Sequence, residues 1–193
     1  MDVRTRRPVQ PSLLQVAAEV LVADPRASLG EVAAAAGVGR TTLHKRYPTR
    51  DALLLAVAHD SVDRFADALA DSGIALLAPH ATAADATGAL RRLVEALVPL
   101  GARLEFLLRQ PSLDDDPALA ARIERLDEPI EEFVRRAQHA GAVRRDAPVW
   151  WVVSTLYALT YSAWDGVARG RLAARDAPEL AFHTLLAGIG EAP

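Results

Sequence analysis

Between Ser28 and Pro48 the chain writes two helices that are too short to persist alone, and this pair limits the fold more than any other stretch. Ser28-Leu29-Gly30-Glu31 has the spacing of a capping box, in which the serine hydroxyl meets the amide of Glu31 and the glutamate reaches back. A helix opening there runs to about Ala36 and is stopped by Gly37. Gly37-Val38-Gly39 makes a tight connection, and a second helix of about two turns follows from Arg40 to Tyr47 before Pro48 ends it. Helices of that length need neighbours. Upstream, Leu13, Val16, Ala17, Val20 and Leu21 form one face of a helix that ends before Asp24-Pro25. Downstream, Thr49 caps a long helix whose apolar positions Leu53, Leu54, Val57, Val62, Phe65 and Leu69 continue to about Ser72-Gly73. Two short helices joined by a glycine-containing turn are the signature of a helix-turn-helix, whose second helix enters the major groove of DNA.

The second helix carries suitable chemistry for that role. If Leu43 and Tyr47 point inward, as their i, i+4 relation suggests, Thr41 and Lys45 face the other way, flanked by Thr42 and His44. Arg40 places a cation at the helix start. Arginine and lysine address guanine edges, while threonine and histidine reach bases or phosphate. Charge along the chain agrees, because residues 1–50 carry a net +4 and the remainder −7, so the overall −3 conceals a basic head on an acidic body. Arg4, Arg6 and Arg7 contribute to that head. Two readings stay open on charge alone, a polyanion partner or a solvated basic face.

The string from Leu29 to Leu54 closely resembles the N-terminal DNA-binding domain of the TetR family of bacterial transcriptional repressors, and the likeness extends from about Leu13 to Val57. It rests on Val32-Ala33 in the first short helix, the Ala36-Gly37-Val38 turn, Thr42-Leu43 in the second, and the aromatic-Pro-x-basic-acidic-x-Leu run from Tyr47 to Leu53. Two positions depart from the family pattern. Gly39 stands where the family usually has serine, and His44 where it usually has a tyrosine that touches the DNA backbone. The resemblance implies a homodimeric regulator on a pseudo-palindromic double-stranded DNA operator, with Arg50 near phosphate. The candidate DNA contacts are Ser28, Arg40, Thr41, Thr42, His44, Lys45, Arg46 and Arg50.

Beyond residue 57 only the helical pattern is similar, and it implies a domain for ligand binding and for dimerisation through the last two helices. We expect an all-α fold of about nine helices, with a helix-turn-helix domain over 1–55 and a helical effector-binding and dimerisation domain over 56–193. Helices are expected over Ala83 to Val98, Gly101 to Gln110, Asp116-Pro117 to about Ala140, Asp146-Ala147-Pro148 to about Gly170, and from a second capping-box spacing at Asp176-Ala177-Pro178-Glu179 onward. Pro129, inside the third of these, predicts a kink or break.

Half of the ten aromatic residues lie between Trp150 and Trp164. At about 100° per residue, Trp150, Ser154, Tyr157, Tyr161 and Trp164 share a stripe about 80° wide, while Val152, Val153, Leu156, Leu159, Thr160, Ala163 and Val167 cover a separate face. The stripe reads either as the wall of a small-molecule pocket or as plain core. As a pocket, closed by Phe106 and Phe133, it suits an aromatic or otherwise planar apolar effector, with Arg103 and Arg109 as candidate partners of an anionic group. The aliphatic face is expected to meet a second subunit. On the final helix Phe182, Leu185, Leu186 and Ile189 lie opposite the smaller Thr184 and Ala187, and either side could form the contact.

Other chemistry finds little footing. The chain lacks cysteine, so no disulfide framework, thiolate metal site or cysteine nucleophile is expected. Its five histidines show no metal-site spacing, Asp114-Asp115-Asp116 reads as loop charge and a helix cap, and no nucleophile elbow or glycine-rich phosphate loop occurs. We expect no enzyme, no cofactor and no bound metal. The apolar run Val149 to Leu159 is shorter than the roughly 20 residues of a membrane helix, and the basic start has no apolar core behind it, so a cytoplasmic protein without a membrane span is expected. Two alternatives remain on sequence: control by a protein partner or by no effector, and a helical enzyme or binding module that retains the motif.

Overall fold

The computed structural model describes residues 11–110, 113 and 116–190. Arg4, Arg6 and Arg7, together with Asp114 and Asp115, lie outside the described residues. Among those described there are nine α-helices and no strand: α1 (Leu13–Ala23), α2 (Leu29–Ala35), α3 (Arg40–Arg46), α4 (Arg50–Ser72), α5 (Ala83–Leu97), α6 (Gly101–Leu108), α7 (Pro117–His139), α8 (Val149–Ala168) and α9 (Ala177–Ile189). Short 3-10 turns, Ile74–Leu76 and Val98–Leu100, follow α4 and α5. The chain divides into two compact units, residues 1–57 and 58–193, and the division falls within α4.

In the first unit, Ala17, Ala18, Leu21, Val32, Ala33, Leu43, Leu53 and Leu54 are buried, so α1 to α3 and the start of α4 share one core. The capping box of α2 forms as its spacing predicts. Glu31 N–H donates to Ser28 Oγ at 3.3 Å, and Ser28 N–H donates to the Glu31 carboxylate at 2.7 Å. These bonds from the Ser28 backbone and hydroxyl hold the Glu31 pKa below the usual carboxylate range. Gly37 ends the helix at φ 66°, a left-handed conformation that a β-carbon would strain. Val38 N–H then closes the turn on the Ala33 carbonyl at 2.9 Å.

The second unit packs α5, α7, α8 and α9 around Leu93, Leu97, Ile130, Phe133, Leu156 and Phe182. Three expectations change here. Pro129 does not break α7, which is assigned continuously from Pro117 to His139. The proline is half-exposed beside solvent-facing Arg125, whose carbonyl loses its usual donor where water can replace it, while Ile130, Phe133, Val134 and Ala137 anchor the following turns. The Asp176–Glu179 capping box is absent. Asp176 has helical φ and ψ of −95° and −15° and makes no side-chain cap, because Glu179 instead pairs with Arg91 and with His183 at 2.7 Å. A capping box not read from the sequence forms at Thr82 and Asp85, where Thr82 N–H donates to the carboxylate at 2.9 Å.

The third change concerns α8. Its aliphatic face, with Val152, Val153, Leu156 and Ala163, is buried in the unit's own core and does not await another subunit. On α9, Phe182, Leu185 and Ile189 are buried likewise, leaving Leu180, Thr184 and Ala187 outward. The core has little spare room near α6. An added β-carbon on Gly101 would lie 2.2 Å from the Cβ and Cγ of Trp164.

Candidate DNA interface and effector cavity

The outward face of α3 is what remains after the core has taken its residues. Leu43 and Tyr47 are buried, and Arg40, Thr41, Thr42, His44, Lys45 and Arg46 are exposed. Among the described residues none of these basic side chains forms an ion pair, so α3 presents uncompensated positive charge. The Arg46 guanidinium lies 5.6 Å from the Tyr47 ring centroid, which restrains it on the helix surface. Ser28 and Arg50 are differently placed. Ser28 Oγ donates to Glu31 at 2.7 Å, and Arg50 donates to the Pro25 carbonyl, so both already support the motif's own turns.

The aromatic stripe of α8 does not line a single pocket. Trp150 is 62% exposed and meets Trp151 edge-on, with ring centroids 5.6 Å apart. Ser154 is exposed. Tyr161 and Trp164 are half-buried with centroids 5.9 Å apart, and the close approach of Gly101 occupies the indole as packing. Phe106 and Phe133 are wholly buried in the core. Tyr157 alone of the eight candidates lines the apolar cavity described next.

That cavity, of about 290 Å³, lies among α4, α6, α7 and α8 within the second unit. Phe65, Leu104, Leu107, Ile123 and Leu126 form its apolar walls. Two polar side chains reach it, Tyr157 and Asp127, and the phenol donates to the carboxylate at 2.9 Å. Burial and the neighbouring Asp127 charge push the Tyr157 pKa far up, so the phenol keeps its proton. A second recess of about 270 Å³ shares Leu107 and Ile123 with the first and adds Leu113, Leu119 and Glu124. Asp127 was not singled out from the sequence. Its signal is a carboxylate one position after Leu126 on the side of α7 that also carries Ile123 and Ile130, a spacing visible only once the extent of α7 is known.

The arginines assigned to the effector lie elsewhere. Arg103 is buried, with its guanidinium 2.6 Å from the Asp60 carboxylate and donating to Ser61 Oγ at 3.3 Å. Arg109 pairs with Glu105 at 3.0 Å. A buried guanidinium requires such partners, and α4 supplies them. Arg122 of α7 likewise reaches α4, where it bonds His59 Nδ1 at 2.8 Å and pairs with Asp63. Of the helices beside the cavity, α6 and α7 are therefore tied by charge to α4.

Among the described residues no helix is long and apolar enough to cross a membrane. No family model matches the sequence. The chain is 38% identical over 167 residues to the HTH-type transcriptional repressor LfrR of Mycolicibacterium smegmatis, covering 86% of this chain and 81% of LfrR. It is 31% identical over 180 residues to the HTH-type transcriptional regulator NfxB of Pseudomonas aeruginosa, covering 90% and 88%. Among solved structures, the TetR-like regulator LfrR from Mycobacterium smegmatis in complex with proflavine superposes with a TM-score of 0.72 at 32% identity, over 93% of this chain and 95% of that one.

Proposed function

Because the chain belongs to the TetR family and is a DNA-binding transcriptional regulator, we propose that it represses transcription as a homodimer on a pseudo-palindromic operator and leaves the DNA when a small molecule fills the α4–α6–α7–α8 cavity. The observation that carries the DNA-reading part is the row of exposed Arg40, Thr41, Thr42, His44 and Lys45 on α3, whose cations have no counterion among the described residues. Their neutralisation by phosphate or base edges would release counterions and make binding strongly salt-dependent. Arg46 joins them. Ser28 and Arg50 serve the interface by holding the turns that aim α3 and touch phosphate secondarily.

Dimerisation is assigned to the outward faces of α8 and α9. Trp151, Ala158 and Ser162 on α8 and Leu180, Thr184 and Ala187 on α9 are exposed. Small residues among larger apolar ones allow close helix approach, and twofold pairing matches two half-sites. Trp150 and Ser154 border this surface and are assigned to it. The effector is a planar aromatic molecule, a reading supported by the apolar walls with Tyr157 and by the solution of LfrR's structure with proflavine. Coupling runs through α4, which is one helix from Arg50 to Ser72 and accepts Arg103 and Arg122 at Asp60 and Asp63. A tenfold loss of operator affinity requires the ligand to favour the released arrangement by about 1.4 kcal/mol.

The test begins with selection of genomic DNA fragments by the purified protein, followed by band shifts on the enriched sequence with and without aromatic ligands. A salt-sensitive, sequence-selective complex that ligand dissolves is the expected result. Enrichment of no common sequence would overturn the operator reading, and a complex indifferent to every ligand that the protein binds would overturn ligand release.

A further inference from the structure

We infer that the cavity selects cationic aromatic ligands, with the Asp127 carboxylate as the counterion and the Tyr157 hydroxyl as the group the ligand displaces from it. This rests on the reading of the cavity as the effector site and adds the charge of what it takes.

The argument starts from the charge inventory. Asp127 lines the cavity beside Leu126 and Ile123, yet among the described residues no arginine, lysine or histidine pairs with it. Within α7, Glu131 and Glu132 are paired with Arg135, whereas Asp127 shares its lack of a counterion among the described residues with Glu124 and Glu128 and differs from Glu128 in lining the cavity. The single hydrogen bond described for the Asp127 side chain comes from the neutral Tyr157 phenol, at 2.9 Å. A carboxylate has about four acceptor sites, so one phenol leaves most of its capacity unspent. Among the described residues no cationic side chain lines either apolar recess. The first carries Asp127, and the second, which shares the Leu107 and Ile123 side chains, carries Glu124.

Arg103 and Arg109 would have favoured an anion, but both are consumed by Asp60, Ser61 and Glu105 and neither lines the cavity. An anion entering here would meet an unneutralised negative charge in apolar surroundings, where repulsion is poorly screened. A cation would gain a charge-assisted hydrogen bond, and a flat ring system would lie against Leu104, Leu107 and Phe65. The first recess is just below the lower end of drug-sized pockets, and the second, which shares Leu107 and Ile123 with it, has a similar volume. Tyr157 acts as a placeholder that satisfies the carboxylate until a cationic N–H takes over.

Two fluorescent three-ring probes of nearly equal shape test this. 9-Aminoacridine is a cation at neutral pH, and acridone is neutral. Affinities come from titration of the DNA-free protein, with folding checked by circular dichroism. The intact protein should bind 9-aminoacridine at least about tenfold more tightly than acridone. Asp127→Asn should remove that preference by weakening the cation while leaving acridone unchanged. Tyr157→Phe should strengthen the cation a few-fold, because the carboxylate loses its competing donor. Leu107→Trp, which fills the space, should abolish binding of both. Equal binding of the two probes by the intact protein, or equal weakening of both by Asp127→Asn, would overturn the charge selection and leave the cavity reading standing. Unchanged binding of both to Leu107→Trp, or binding of neither to the intact protein, would overturn the cavity reading as well.

Discussion

The two ends of α4 belong to regions that build their surfaces in opposite ways. Around α3 the candidate DNA contacts are residues the core left over, contiguous in sequence and exposed because Leu43 and Tyr47 took the inward positions. Around the cavity the candidate ligand contacts are residues the core failed to cover, drawn from four helices and from positions as far apart as Phe65 and Tyr157. A local surface can be altered without disturbing the fold. A cavity shares its walls with the core, so its alteration reaches stability and binding together.

Substitutions that break this contrast come with the largest expected effects. Phe133→Ala in the fully buried core of the second unit should cost about 3–5 kcal/mol of stability, read by thermal or denaturant unfolding. Leu43→Ala, buried between the motif's helices, should cost about 2–5 kcal/mol by the same measurement and also weaken DNA binding. Were Leu43→Ala to leave both unchanged, α3 would not be held by its inward face. Gly101→Ala meets Trp164 and should cost about 1–3 kcal/mol through overpacking, with a change in tryptophan fluorescence.

Smaller effects sharpen the contrast instead. Arg40→Ala and Lys45→Ala should each weaken operator binding by about 1–3 kcal/mol if a base contact is lost, while the unfolding midpoint stays put. Loss of stability in place of affinity would show that these side chains serve the fold. Ser28→Ala removes the cap of α2 and should cost about 0.5–2 kcal/mol. Its pH dependence has a definite sign. Glu31 has a lowered pKa in the folded protein, so its bond with Ser28 contributes above the unfolded carboxylate pKa and fades as pH falls through the folded value. The gap between Ser28→Ala and the unaltered protein should therefore be wider at neutral pH than in acid.

What the sequence determined by itself is what short-range forces decide. Ser28 with Glu31, Gly37 and Pro48 set the limits of α2 and α3 within a residue or two, because caps and stops act between neighbours. The i, i+4 relation of Leu43 and Tyr47 then settled which side of α3 faces solvent. The same local rules placed the later helices but could not assign their faces. The α8 stripe and its aliphatic face were both visible, and packing against α9 sent the aliphatic face into the unit's own core. Local spacing at Asp176 and Glu179 also lost to a distant partner, since Arg91 on α5 offers the glutamate a full charge where the cap offers only amides. Tertiary structure alone decided that Arg103 would be spent on Asp60 and that Asp127 would stand beside Tyr157 in an apolar recess. A charge takes its role from what lies within a few ångströms of it, and in a helical bundle those neighbours come from other helices.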